Sequence, residues 1–132
     1  MGITLPPARV DRRIAAGTEK VWDLLTDLDQ WPQWGPSVRR AELRDGGTVL
    51  TAGARGTVWT TAGVALPFAV TDFVPGRRWD WSVAGVAATG HEVAAIPGGC
   101  RVRFTVPRWA YFYLPVCSIA LARIERLVGQ RQ

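Results

Sequence analysis

Asparagine is missing from the 132 residues, histidine, lysine and methionine occur once each, and there are only two cysteines. Each shortage removes a class of chemistry. Cys100 and Cys117 form no CxxC pair and are too few for a disulfide framework or a four-ligand zinc site, so reduced thiols are expected. A lone histidine, His91, rules out an HExxH helix, and the chain has no GxGxxG or GxxxxGK[ST] phosphate loop and no nucleophile elbow. Neither metal nor cofactor is expected. The most apolar late stretch, Trp109 to Ala122, falls short of the roughly 20 residues a membrane span needs, and Pro115 interrupts it. Residues 1–7 carry neither a basic n-region nor an apolar h-region, so no export signal is expected and the cytoplasm is the expected location.

Long runs of one charge are also missing. Lys+Arg total 16 against 11 Asp+Glu, giving a net charge of +5 and a pI near 10.2. All the basic residues but Lys20 are arginines, placed as Arg12-Arg13, Arg39-Arg40, Arg77-Arg78 and alternating Arg101/Arg103. This scatter suits the solvent faces of strands, and no specific nucleic-acid partner is expected from it. The Arg, Ala and Gly bias without asparagine fits a GC-rich coding sequence as well as a selected surface.

What is plentiful is apolar surface, and tryptophan above all. Hydrophobic residues make up 48% and charged residues 20%, enough to offset the entropy of ordering, and the length suits one domain spanning residues 1–132. Seven tryptophans exceed what so small a core needs, and each brings a flat apolar body with one N–H to satisfy.

Periodicity supplies the elements. Val10 and Ile14, evenly spaced among charges in residues 8–15, predict a half-buried first strand. Thr18 as an N-cap hydroxyl, Glu19 in the first turn and the stripe Val21, Leu24, Leu25, Leu28 predict a helix. Two prolines and a glycine in residues 29–36 allow at most one further short turn. Alternation then predicts strands over Val38–Arg44, Arg55–Thr61, Phe68–Val74, Arg78–Val83, Thr89–Ile96 and Cys100–Val106, divided by Gly and Pro-Gly turns. A helix opening at Leu114-Pro115 and ending near Gly129 closes the chain. This order predicts an α+β fold: an antiparallel sheet of about seven strands whose apolar face only the C-terminal helix is long enough to cover.

Three stretches resemble one family. Ala15 to Asp27 followed by Trp31-Pro32-Gln33-Trp34-Gly35-Pro36-Ser37-Val38 is similar to the opening APxExVWxLLTDxxxWPxWxPxV of the START-like (SRPBCC, helix-grip) superfamily, in its polyketide cyclase/dehydrase and lipid-transport branch. Val70 to Trp81 and Gly90 to Val102 match later segments in the right order. Cys100 departs from the usual Thr, and the aromatic tail Trp109, Tyr111, Phe112, Tyr113 is a second departure. The resemblance implies a curved sheet wrapped around the long C-terminal helix, a short helical pair after the first strand, and a ligand held between sheet and helix beside an entrance made by the short helical segment.

Strand alternation then nominates candidates for that site. Trp79, Trp81 and Val83 share one face, Val102, Phe104 and Val106 another, and His91 lies with Val93 and Ala95, so these are expected to point inward. Trp22 is expected to be ordinary packing. Trp31 and Trp34 are expected at the entrance or as plugs. Trp59 and Trp109 are expected with Trp79 and Trp81 in the space between sheet and helix, where they either line a cavity or fill it. From the C-terminal helix, Ser118 and Leu121 are taken as ligand contacts, beside small residues at Cys117, Ala120 and Ala122. His91 has three readings: an acid/base catalyst, a polar contact to the ligand, or a structural residue. The leading expectation is a carrier of a hydrophobic, aromatic or polycyclic, polyketide-like or lipid-like molecule. A cyclase or dehydratase using His91 and a partner-binding module with a filled core are the alternatives, and the aromatic tail leaves a homodimer open.

Overall fold

A computed structural model describes residues 6–129. Strand β1 (Ala8–Ile14) leads into helix α1 (Thr18–Thr26), a single 3₁₀ turn over Leu28–Gln30 and the one-turn helix α2 (Trp31–Trp34). Six strands follow: β2 (Val38–Leu43), β3 (Arg55–Thr60), β4 (Ala65–Val74), β5 (Arg78–Val83), β6 (Val86–Ile96) and β7 (Gly99–Val106). A 3₁₀ segment, Arg108–Tyr113, then enters the long helix α3 (Leu114–Gly129).

All neighbours are antiparallel in the order β1-β7-β6-β5-β4-β3-β2, the helix-grip arrangement. The first strand pairs with the last, from Ala8↔Val106 to Ile14↔Cys100, so α1 and α2 must carry the chain from one sheet edge to the other. Inward residues of β7 (Cys100, Val102, Phe104, Val106) and of α3 (Cys117, Ala120, Leu121, Ile124, Val128) are buried together. Register shifts between Val70 and Asp72 and between Asp80 and Ser82 are the irregularities that let a sheet bend around a helix.

Two local details follow from composition. The β5–β6 turn is Ala84-Gly85, both at positive φ, 52° and 78°. Such a turn favours asparagine or aspartate at its first position, and a chain without asparagine places alanine there. Gly56 on β3 has no substitute, because a Cβ would stand 2.1 Å from the Glu42 carbonyl oxygen and 2.8 Å from the Phe68 ring.

The α1 stripe Val21, Leu24, Leu25 and Leu28 is buried as its spacing predicts. Its start differs from expectation: Thr18 is inside the helix, Gly17 is the N-cap, and no side chain caps it. The C-terminus is where the capping is elaborate, and it involves the site.

Candidate ligand-binding site

A helix leaves its last four carbonyls without intrahelical partners, and α1 finds one for each. Asp23 O accepts from Asp27 N–H at 3.0 Å and Thr26 O from Leu50 N–H at 2.9 Å. The other two are met by indoles: Trp34 Nε1 donates to Leu24 O at 2.8 Å and Trp31 Nε1 to Leu25 O at 2.9 Å. Both tryptophans are buried, Trp31 at 1% and Trp34 at 6% exposure. Their N–H groups are committed to the helix end, and their rings border a small recess against α3.

Their rings are the centre of an aromatic stack. Trp31 lies parallel to Trp79 at 5.4 Å, and Trp79 parallel to His91 at 3.8 Å between centroids. Phe104 meets His91 edge-on at 4.8 Å, and Trp81 meets Trp31 edge-on at 5.3 Å. This cluster fills the deep half of the grip. A recess of about 50 Å³ is left against Cys117 and Ala120 of α3, enough for a water or two but not for a ring. Trp79 Nε1, buried beside it, has no hydrogen-bond partner among the described residues.

His91 belongs to that stack. Its Nδ1 lies 3.1 Å from the Trp79 carbonyl oxygen and its Nε2 2.8 Å from Thr89 Oγ1, while Trp81 Nε1 donates to the same Thr89 oxygen at 2.9 Å. A carbonyl only accepts, so Nδ1 carries the proton. Thr89 has a single proton and gives it to Nε2. The imidazole is therefore a neutral tautomer with both nitrogens engaged, and burial pushes its pKa down to about 3, against a smaller upward pull from the Trp79 carbonyl. A base so weak, with no free nitrogen, is poorly suited to acid/base chemistry near neutral pH. Asp72 on β4 is paired with Arg78 and makes no contact with the imidazole.

Open space lies beyond Trp81, at the sheet edge where β3 ends and β4 begins. A cavity of about 290 Å³ is walled by Val58, Leu66, Val83 and Val106, with Trp81 as its floor and the 3₁₀ segment, through Ala110, Phe112 and Tyr113, as its far side. Where it meets the recess stand Thr89 and a hydrogen-bonded pair, Ser37 Oγ and Tyr113 OH. One of that pair donates to the other, which leaves one hydroxyl proton free. Burial holds the Tyr113 phenol above its ordinary range, with the Ser37 contact pulling the other way, so it stays protonated.

Several expected contacts fall elsewhere. Trp59 is on the outer face, opposite inward Val58 and under the Arg40 guanidinium at 3.8 Å; strand alternation forbids both neighbours from pointing in. Ser118 and Ala122 face solvent, because the buried stripe of α3 runs through Cys117, Leu121 and Ile124. Leu121 is buried in the core, away from both spaces. Trp109 is at the cavity mouth but 63% exposed, not packed inside. Val83 and Val106 of the wall are among the residues expected to point inward, and sequence reasoning missed Val58, Ser37 and Thr89. Thr89 had a usable signal, since it precedes His91 by two residues and so shares its face.

The thiols are inert by placement: burial raises the Cys100 pKa and pushes that of Cys117 up to about 11. Among the described residues, no three His, Cys, Asp or Glu side chains cluster as a metal site, and no helix is long and apolar enough to cross a membrane.

A seven-stranded sheet closed on a C-terminal helix, with a cavity at one edge of the grip, defines the START-like helix-grip class. The chain belongs to the polyketide cyclase / dehydrase and lipid transport family, whose model matches residues 7–120. Solved structures share the fold at low identity. A protein from Mesorhizobium loti, MLL2253, has a TM-score of 0.76 at 16% identity, covering 96% of this chain and 99% of its own. One from Nitrosomonas europaea, NE0264, gives 0.71 at 16% identity over 94% of each chain. Ms6760 from Mycobacterium smegmatis gives 0.68 at 17% identity, covering 94% of this chain and 91% of its own. No curated protein matches the chain.

Proposed function

We propose that the protein binds a compact hydrophobic small molecule in the cavity between Trp81 and the 3₁₀ segment, and does so without turning it over. The carrying observation is the apolar wall of that cavity, which ends at a neck bearing the Thr89, Ser37 and Tyr113 hydroxyls. An apolar body with one oxygen acceptor at its inner end matches this lining, since a mostly apolar pocket with a few placed polar groups is how small ligands are held and oriented. The volume, about 290 Å³, sits at the small end of the roughly 300–1,000 Å³ range of ligand pockets. A short acyl chain or a fused pair of rings fits this better than an extended polycycle. No observation favours the cyclase or dehydratase alternative, because His91 is neutral and fully engaged in the stack.

The test is cavity filling. Native mass spectrometry and intrinsic tryptophan fluorescence, with a panel of short-chain fatty acids and bicyclic ketones, are expected to find a ligand for the natural chain. Val58→Trp or Leu66→Trp should reduce its affinity by at least about tenfold, by placing a ring where the ligand lies. Undiminished affinity in both variants, each still folded by circular dichroism, would sink the reading. Turnover of any bound ketone, lost in His91→Gln, would restore the enzyme.

A further inference from the structure

Charge disappears at the cavity's edge of the sheet. The segments that meet there are residues 60–67 around the β3–β4 turn, 82–89 around the β5–β6 turn, 107–116 from β7 into α3, and 35–38 before β2. Together they hold one charged side chain, Arg108, in a chain that is 20% charged. The same edge exposes large apolar groups: Val64 and Val86 at the turns, and Trp109, Tyr111 and Phe112 at 63%, 67% and 65%. Cations stand just behind it. Arg9 on β1, opposite Thr105, and Arg39 and Arg40 on β2, immediately after Val38↔Thr60, are all exposed. Of these three and Arg108, only Arg40 pairs with an acid among the described residues, Glu42 at 3.3 Å. None of the eleven Asp and Glu falls in the four edge segments.

We infer that this edge docks on an anionic lipid bilayer. Aromatic rings with a polar tip, as in Trp109 and Tyr111, settle at the level of lipid headgroups, and an apolar patch such as Phe112 enters the acyl boundary. Arg9, Arg39, Arg40 and Arg108 then lie where phosphates are, each strengthening binding by roughly fivefold on a charged surface. The uncharged tip, the cationic collar and the exclusion of acids complement such a surface together. The cavity mouth opens onto it. Docking is measured with no ligand added, so it stands or falls separately from what the cavity holds.

The experiment is co-sedimentation of the full chain with vesicles of phosphatidylcholine, with and without phosphatidylglycerol. The natural chain is expected to bind the anionic vesicles more tightly, and Trp109→Ser/Tyr111→Ser/Phe112→Ser to lose at least about tenfold in affinity. Arg39→Glu/Arg40→Glu should lose at least about twentyfold and flatten the salt dependence. Brominated acyl chains should quench part of the natural chain's fluorescence, and Trp109→Phe should abolish that part. The substituted residues are exposed, so an unchanged melting temperature confirms that each variant is folded. No binding by the natural chain, or equal binding by the triple variant, overturns the inference. A dimer in sedimentation velocity that the triple variant dissolves also overturns it, and assigns the edge to a second copy.

Discussion

His91 spends its chemistry on architecture. Its Nδ1–H is held by the Trp79 carbonyl and its Nε2 by Thr89, with a Trp79 face against its ring. A histidine whose pKa is about 3 when folded and about 6.5 when unfolded takes up a proton on unfolding at any pH between these values. The unfolded state binds more protons there, so stability is full above pH 6.5 and falls with acidification at about 1.4 kcal/mol per pH unit from this residue, down to about pH 3. Urea denaturation at several pH values is expected to show that slope in the natural chain and to lack it in His91→Gln. An unchanged slope in the variant would mean that the carboxylates alone carry the acid sensitivity.

At the scale of elements, α1 is ended by two side chains that come from α2. Replacing Trp34 by Phe keeps a ring in the cluster but leaves Leu24 O buried without its donor, a loss of about 1–3 kcal/mol for the unmet carbonyl alone. Trp59→Phe, on the outer face, should cost under about 1 kcal/mol; denaturant midpoints of the two variants decide the comparison. The elements themselves were legible in the sequence. Alternation and turn residues placed β5 at its observed ends and β2 within a residue, because a half-buried strand repeats every two residues. The partners of the indoles were not legible. A WPQW segment announces large rings, but their acceptors are backbone carbonyls of an adjacent helix, which no side-chain pattern reports. Trp59 was misplaced for a related reason: which of Val58 and Trp59 points inward depends on the Arg40↔Trp59 register. Ser118 is different, since the helical stripe through Cys117, Leu121 and Ile124 could have excluded it.

Over the whole molecule, the question of a filled or an open grip has a divided answer. The half near α1 is filled by Trp31, Trp34, Trp79 and His91, and the half beyond Trp81 is open. Stability should divide the same way, because local opening is governed by buried apolar contact. Amide hydrogen exchange is expected to be slowest in α1 and in the middles of β6 and β7, and fastest in Arg108–Tyr113, whose residues are exposed or only partly buried; slow exchange throughout that 3₁₀ segment would contradict this. The doubled role of the two capping indoles also limits how this scaffold can change. Trimming Trp31 or Trp34 to make space would leave the end of α1 unsupported, so these two positions cannot be used to deepen the hollow without a cost in stability. Smaller residues at Leu66, Val83 or Phe112 disturb no helix terminus, so for a lineage or a designer seeking bulkier cargo the outward direction enlarges the site while leaving the support of α1 intact.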